Sequence, residues 1–200
     1  MTSFSLTFDY RCPFARNAAE HVLAALDAGA PWDVRFVPFS LGQAHVEEGD
    51  TDIWDRPDED SGLLALQVGV TVRDTVDEPT FRAVHRDLFA LRHDQGRSLK
   101  DRGLLTEVLE RHGVDPAEIF EAVDDGRALK MVREEHESAV KRHQVWGVPT
   151  FIAGDQAAFV RLMDRPGDDA ELAERSITRV LTLLTEAPTL NEFKHTSIPR

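Results

Sequence analysis

The hydrophobic pattern at the start of the chain is that of a strand, a helix and a second strand. Residues 4–9 alternate apolar and polar side chains, which predicts a half-buried strand. Residues 15–26 carry apolar side chains at helical spacing until Gly29, a typical C-terminal stop. Residues 32–39 predict a second strand, with Pro38 at its end or at a sheet edge. The chain therefore opens with a β-α-β unit.

A long helical region separates this unit from the remaining strands. Residues 62–144 show helical periodicity throughout. Strand character returns at residues 148–153, and residues 157–161 predict a partner strand after a tight turn. Residues 168–187 predict a last helix. The order of elements is thus β-α-β, a helical insertion, and β-β-α.

The same pattern predicts a division into domains. We expect a discontinuous α/β domain formed by residues 1–45 and 145–200, with an inserted helical subdomain formed by residues 62–144. Residues 46–61 are expected to form an acidic linker, because residues 47–60 carry eight carboxylates and one arginine.

Charge and composition narrow the range of partners. A formal net charge of −13 argues against nucleic acid and against an anionic membrane surface. No apolar run is long enough to cross a bilayer, no secretory signal is recognised, and no metal-ligand motif is found, so we expect no membrane partner and no metal site. A single cysteine excludes a disulfide within the chain, which is typical of a reducing compartment. We therefore expect a cytoplasmic protein.

The single cysteine, Cys12, falls where the first strand gives way to the first helix. This position is the predicted N-cap, and Pro13 suits the first helical position. Unpaired N–H groups and the positive end of the helix dipole favour a thiolate there, and Arg11 and Arg16 add positive charge. We therefore predict a nucleophile with a lowered pKa. The alternative is an inert, buried side chain.

Asp9 lies just before the predicted start of the first helix. A carboxylate at such a position is most often a helix cap, and we favour that role. The alternative is a group that accepts a proton or orients water near Cys12. In either role, Asp9 is a supporting residue of the candidate site.

Two pairs of motifs carry a resemblance to a known family. Cys12-Pro13 at the start of a helix, together with Gly147-Val148-Pro149-Thr150 at the entry to a strand, resembles the DsbA-like branch of the thioredoxin superfamily. Residues 37–41 and 193–196 are similar to the DsbA-like proteins grouped with mycothiol-dependent nitroreductases. The resemblance implies a thioredoxin-like α/β fold with an inserted all-helical subdomain.

The resemblance also implies how a substrate is held. A cis peptide bond before Pro149 would face the sulfur and expose the backbone of Val148 to an extended peptide, with Thr150 next in the loop. Phe14, Trp146 and Pro149 would provide apolar walls. For Trp146, we expect packing beneath the loop ahead of substrate contact.

One departure from the family pattern decides the chemistry. Dithiol members carry Cys-x-x-Cys, but the fourth position here is Ala15, and no resolving cysteine exists in the chain. Any disulfide formed at Cys12 is therefore intermolecular, and an external thiol must resolve it.

Three functions are compatible with these observations. The leading hypothesis is a monothiol oxidoreductase acting on a small thiol, a disulfide or an extended peptide. It has no tightly bound cofactor, and mycothiol or glutathione is its cosubstrate. The second is an enzyme related to the kappa-class glutathione transferases and hydroxychromene-carboxylate isomerases. The third is a non-catalytic thioredoxin-like binding module. A homodimer is common among relatives of this kind.

Overall fold

Four strands form one mixed sheet in the computed structural model, which describes residues 2–196. The strands lie in the spatial order β2-β1-β3-β4. Strands β1 and β2 are parallel, whereas β3 is antiparallel to both β1 and β4. Their bounds are β1 (Thr2–Phe8), β2 (Trp32–Pro38), β3 (Thr150–Ala153) and β4 (Gln156–Phe159). This sheet, with its β-α-β and β-β-α halves, is the predicted thioredoxin-like α/β arrangement.

Eight α-helices accompany the sheet within residues 2–196. Helix α8 packs against α1 and against β3 and β4, while α3 lies at the centre of the inserted helices, in contact with α4, α6 and α7. The bounds are α1 (Pro13–Asp27), α2 (Leu41–Ala44), α3 (Leu63–Thr75), α4 (Glu78–His93), α5 (Arg102–Arg111), α6 (Pro116–Asp124), α7 (Arg127–His143) and α8 (Ala170–Glu186). None of these helices is long and apolar enough to cross a membrane.

Helix α1 forms where its sequence signals place it. Pro13 occupies the first turn, where its missing N–H leaves no gap in the hydrogen bonding. Gly29 follows the helix with a φ of 93°, a backbone conformation that favours glycine. The buried face of α1 consists mainly of small and branched side chains, namely Ala15, Ala18, Ala19, Val22, Leu23 and Ala25. These side chains bring α1 close to the sheet and to α8.

The inserted helices share a core with the sheet. Tyr10, directly after β1, donates or accepts a hydrogen bond of 2.8 Å between its hydroxyl and Nδ1 of His85 in α4. The Phe8 and Phe89 rings surround the same imidazole, with centroids 4.6 and 5.1 Å away. Buried residues of the sheet and of the insertion therefore form one continuous cluster. The division into two subdomains stays a prediction.

Several boundaries differ from the sequence prediction. Strand β1 begins at Thr2 because it pairs with Trp32 from its first residue. Strand β4 ends at Phe159, so residues 160 and 161 continue beyond the ladder. The acidic segment contains two short 3₁₀ helices, Ile53–Asp55 and Pro57–Glu59, before the start of α3.

Candidate active site

Cys12 is the N-cap residue of α1, as the sequence predicts. Its backbone is extended, with φ −87° and ψ 117°, and the N–H of Ala15 donates to Sγ over 3.4 Å. The backbone N–H of Cys12 donates to the carbonyl oxygen of Asp9 over 3.0 Å, which closes the turn between β1 and α1. Only 8% of the residue is exposed. The sulfur thus lies at the edge of the core, at the first turn of the helix.

A second loop faces this sulfur. The Val148–Pro149 peptide bond is cis, and the thiol of Cys12 donates to the carbonyl oxygen of Val148 over 3.4 Å. The N–H of Thr150 donates to Oγ1 of Thr7 over 2.8 Å, which holds the loop to β1. The hydroxyl of Thr150 donates to the carbonyl oxygen of Gly147, also over 2.8 Å. These bonds hold the Val148 carbonyl in place opposite Cys12.

The environment of Cys12 raises the pKa of its thiol, so the predicted lowering is wrong in direction. Burial is the largest cause, because it removes water from the charged form. The N–H groups of Ala15 and Phe14 oppose it by donating to the sulfur, while the carboxylate of Asp9 adds to it and the charge of Arg161 opposes it. Desolvation therefore outweighs the helix terminus, and the protonated thiol predominates at neutral pH.

The two arginines near Cys12 in sequence form ion pairs with carboxylates. Arg11 binds the carboxylates of Asp9 and Asp60 at 2.7 and 2.8 Å. Arg16 binds Glu20 at 2.9 Å and also Asp94. Their charges are therefore balanced by carboxylates, which corrects the prediction that both arginines add net positive charge beside the thiol.

Asp9 belongs to a buried charge cluster and does not cap α1, contrary to our expectation. Its carboxylate accepts the backbone N–H of Arg11 and that of Leu41, each over 2.9 Å. Asp60 continues the cluster, because it accepts the N–H groups of Gly62 and Leu63 over 2.8 and 2.7 Å. We call Asp9, Arg11 and Asp60 the clamp. It ties the turn before Cys12 to the first residue of α2 and to the start of α3.

Aromatic side chains surround the exposed side of the site. Trp146 is 69% exposed, so the expectation that it packs beneath the loop is wrong. Its ring lies 4.5 Å from that of Phe159, centroid to centroid. Phe14, half-buried, follows Pro13 in the first turn of α1. We call Phe14, Trp146 and Phe159 the aromatic rim.

Arg161 is a site residue that sequence reasoning missed. Its guanidinium carbon lies 5.3 Å from the centroid of Phe14 and 6.0 Å from that of Phe159. The sequence carried no local signal for it, because a charged residue at the end of an edge strand is ordinary. Its place depends on the pairing of β4 with β3 and on the bond from the N–H of Val160 to the carbonyl oxygen of Pro149, 3.1 Å long.

Two surface depressions of the described structure lie away from the candidate site. Surface depressions of about 550 and 490 Å³ lie between α5 and α6 and in the acidic segment, and Cys12 lines neither. Within residues 2–196, no group of three or more His, Cys, Asp or Glu side chains is placed to hold a metal ion. The chemistry that the described geometry offers is that of one thiol beside a fixed carbonyl and an exposed guanidinium.

Known structures share this fold at low sequence identity. A 2-hydroxychromene-2-carboxylate isomerase is 17% identical, with a TM-score of 0.64, over 96% of this chain and 100% of that chain. The cytosolic disulfide reductase DsbM from Pseudomonas aeruginosa, solved with GSH, is 14% identical, with a TM-score of 0.63, over 90% and 100%. Pseudomonas aeruginosa DsbA is 19% identical, with a TM-score of 0.58, over 94% and 84%. No curated protein matches the chain significantly. The model of the DSBA-like thioredoxin domain matches residues 5–166, and the chain therefore belongs to that family.

Proposed function

We propose that this protein is a monothiol thiol–disulfide oxidoreductase that uses Cys12 and an external low-molecular-weight thiol. The observation that carries the proposal is the position of Sγ, between the N–H of Ala15 and the carbonyl oxygen of Val148, each 3.4 Å away. The chain has no second sulfhydryl with which to close an internal disulfide. Membership of the DSBA-like family supports the same chemistry.

The first step is exchange between Cys12 and a disulfide. The thiol loses its proton to solvent, and the thiolate attacks one sulfur of the substrate disulfide. The bond between the two substrate sulfurs breaks, a bond between Sγ and one of them forms, and the other leaves as a thiolate that takes up a proton. An external thiolate then attacks the substrate sulfur of the mixed disulfide and releases Cys12. This second step leaves half of the substrate in a mixed disulfide with the external thiol. A second molecule of that thiol attacks the mixed disulfide, so the substrate ends as two thiols and the external thiol ends as its own disulfide.

The residues around Sγ support both ends of this cycle. The N–H groups of Ala15 and Phe14 stabilise negative charge as it develops on the sulfur. The carbonyl oxygen of Val148 accepts a hydrogen bond from the resting thiol and holds it against the Pro149 loop. Because burial disfavours the thiolate, the reduced protein gains little from ionisation, which favours the reductive direction over the donation of disulfides.

The external thiol takes the place that a second cysteine has in dithiol proteins. Ala15 is fully buried and supplies only an N–H to Sγ. The incoming thiol must therefore approach from the exposed side, past the aromatic rim. Glutathione and mycothiol are the two thiols we propose for this role.

Adduct formation tests the proposal. The reduced protein is incubated at mildly alkaline pH with the disulfides of glutathione and of mycothiol, and its intact mass is measured. We expect one thiol to add at Cys12 and to be removed by the same thiol in reduced form. Cys12→Ser is the control, since serine is a good N-cap and preserves the helix start. If neither disulfide forms an adduct at any pH up to the pKa of the thiol, the proposal is wrong.

The second candidate is an isomerase or transferase in which a bound thiol cofactor does the chemistry. The similarity to the 2-hydroxychromene-2-carboxylate isomerase favours it, because it covers both chains almost completely. Such a reaction also needs no resolving cysteine. The two candidates differ in the fate of Cys12 during turnover. Retention of thiol-dependent activity by Cys12→Ser would favour the isomerase, whereas loss of activity together with loss of the adduct would favour the oxidoreductase.

A further inference from the structure

Arg161 is the exposed cation of the site whose charge no carboxylate balances. Among residues 2–196, no Asp or Glu lies within ion-pair distance of its guanidinium, whereas Arg11 and Arg16 each bind two carboxylates. Its charge reaches the sulfur, because it is one of the groups that lower the pKa of Cys12. A ligand bound at the sulfur would therefore experience the positive charge of Arg161, which no carboxylate of residues 2–196 pairs with.

The aromatic rim holds this guanidinium in position without neutralising it. Stacking over the Phe14 and Phe159 rings, at 5.3 and 6.0 Å, orients the group through cation–π attraction. The rings carry no charge that would neutralise the guanidinium, so its N–H donors can pair with a planar anion. The exposed Trp146 ring extends the same surface.

The rest of the molecule opposes the binding of anions. The formal net charge is −13, so an anionic ligand is repelled at long range. Asp9 is the carboxylate that contributes to the raised pKa of Cys12. It is fully buried and paired with Arg11, so it presents no negative charge at the surface. A local cation beside Cys12 would therefore offset this repulsion for a negatively charged substrate.

We propose that Arg161 is the specificity-determining residue of the site, and that it binds the carboxylate of a small anionic thiol or disulfide while the sulfur of that ligand reacts with Cys12. This inference rests on the proposed function. The inference also distinguishes between the two thiols of the proposed function, because glutathione carries free carboxylates and mycothiol carries none.

The test uses three small disulfides that differ only in their end groups. Dithiodipropionate is anionic, hydroxyethyl disulfide is neutral and cystamine is cationic. The second-order rate constant for adduct formation at Cys12 is measured with each, for the full-length wild type, Arg161→Gln and Arg161→Lys. Arg179→Gln is the matched control, because Arg179 is an exposed arginine of α8 that does not affect the pKa of Cys12 and has no ion pair within residues 2–196.

We expect the ratio of the anionic to the neutral rate constant to fall about tenfold in Arg161→Gln and less in Arg161→Lys. The ratio of cationic to neutral should rise, and salt should reduce both effects. Loss of Arg161 also raises the pKa of the Cys12 thiol, which slows the reaction with all three disulfides equally. The ratios of rate constants are unaffected by this common slowing. Arg179→Gln should keep the wild-type ratios.

Two failures are distinguishable. If all three disulfides react with the wild type and Arg161→Gln leaves their ratios unchanged, the role of Arg161 is wrong and the proposed function stands. If none of the three reacts with the wild type, the proposed function itself is wrong.

Discussion

The thiol of Cys12 donates a hydrogen bond to the carbonyl oxygen of Val148 over 3.4 Å, across 136 positions of sequence. This contact joins the first turn of α1 to the loop that enters β3. It also stabilises the protonated sulfur, since only the thiol can donate. The resting state of the site is therefore a neutral thiol held in a fixed direction.

The reactivity of Cys12 should rise with pH through a pKa above that of an ordinary cysteine. Burial raises the pKa of the thiol, so the reactive thiolate is a minor form at neutral pH. The rate of alkylation by iodoacetamide, followed by intact mass as a function of pH, measures this pKa. Free glutathione under the same conditions is the control. A midpoint below that of the control would contradict the structure and restore the prediction from the helix terminus.

Breaking the clamp should destabilise the fold. Arg11→Gln leaves the buried carboxylates of Asp9 and Asp60 without their cation, which costs about 3 kcal/mol in the free energy of unfolding. Arg133→Gln is the control, because Arg133 pairs with Glu137 on an exposed helix face, where ion pairs contribute little to stability. Urea unfolding measures both. Equal losses in the two variants would mean that the clamp contributes no more than a surface pair.

A methyl group at Gly69 should not be tolerated. Its Cβ would lie 2.3 Å from the hydroxyl oxygen of Tyr10, which His85 holds in place. We expect Gly69→Ala to lose about 2 kcal/mol, even though alanine is the better helix former by about 1 kcal/mol.

Two further variants separate the steric effect from the effect on helix propensity. In Gly103→Ala, the Cβ would lie 3.3 Å from the carboxylate oxygen of Asp101 that caps α5, a contact that a shift of a few tenths of an ångström relieves, so this variant should lose less stability than Gly69→Ala. In a Tyr10→Phe background, the cost of Gly69→Ala should fall in part, because the hydroxyl contact of 2.3 Å is gone while ring carbons of residue 10 remain 2.9 and 3.0 Å from the new Cβ. A cost that is independent of the residue at position 10 would contradict the proposed clash.

Stability should fall on mild acidification because two buried histidines resist protonation. Burial lowers the pKa of His85 to about 3 and that of His136 to about 4, from an ordinary value of 6.5. Below pH 6.5 the unfolded chain takes up protons that the folded protein does not. The stabilisation of the fold by these two neutral histidines is therefore complete above pH 6.5 and is lost as the pH falls toward 4. Each histidine accounts for about 2 kcal/mol between pH 8 and pH 5.

Replacing His136 tests this assignment. In His136→Asn, the amide oxygen can accept the N–H of Ser40 that Nδ1 of His136 accepts over 3.2 Å, but it does not titrate. The variant should lose about 2 kcal/mol of the decline in unfolding free energy between pH 8 and pH 5. His45→Asn, at an exposed position, should keep the wild-type decline. If His136→Asn also keeps it, His136 does not contribute to the pH dependence.

Local signals predicted the elements of the fold well. Strand β1 and helix α1 follow from side-chain period, a proline in the first turn and Gly29, all of which act within a few residues. Helix α3 was harder to place, because nine of its residues are buried and both faces are apolar. The order of strands in the sheet also depends on contacts that no local pattern specifies.

The electrostatics of the site was the part that the sequence did not predict. Arg11 meets Asp60 across 49 positions and Arg16 meets Asp94 across 78, so neither pairing is visible in a local reading. The burial of Cys12 depends on packing between distant segments, whereas the helix terminus and the flanking arginines are evident in one short motif. The helix terminus and the flanking arginines therefore indicate a thiolate at Cys12, whereas burial by distant segments keeps the sulfur protonated.

The clamp makes the sulfur a reporter on the inserted helices. Asp60 holds the first N–H groups of α3 and also the arginine next to Cys12. Fraying of that helix end takes one of its two carboxylates from Arg11, the residue directly before Cys12, and leaves Arg11 paired with Asp9. A substitution at the start of α3 that changes the rate of labelling of Cys12 would show this coupling, without any probe attached to the helix.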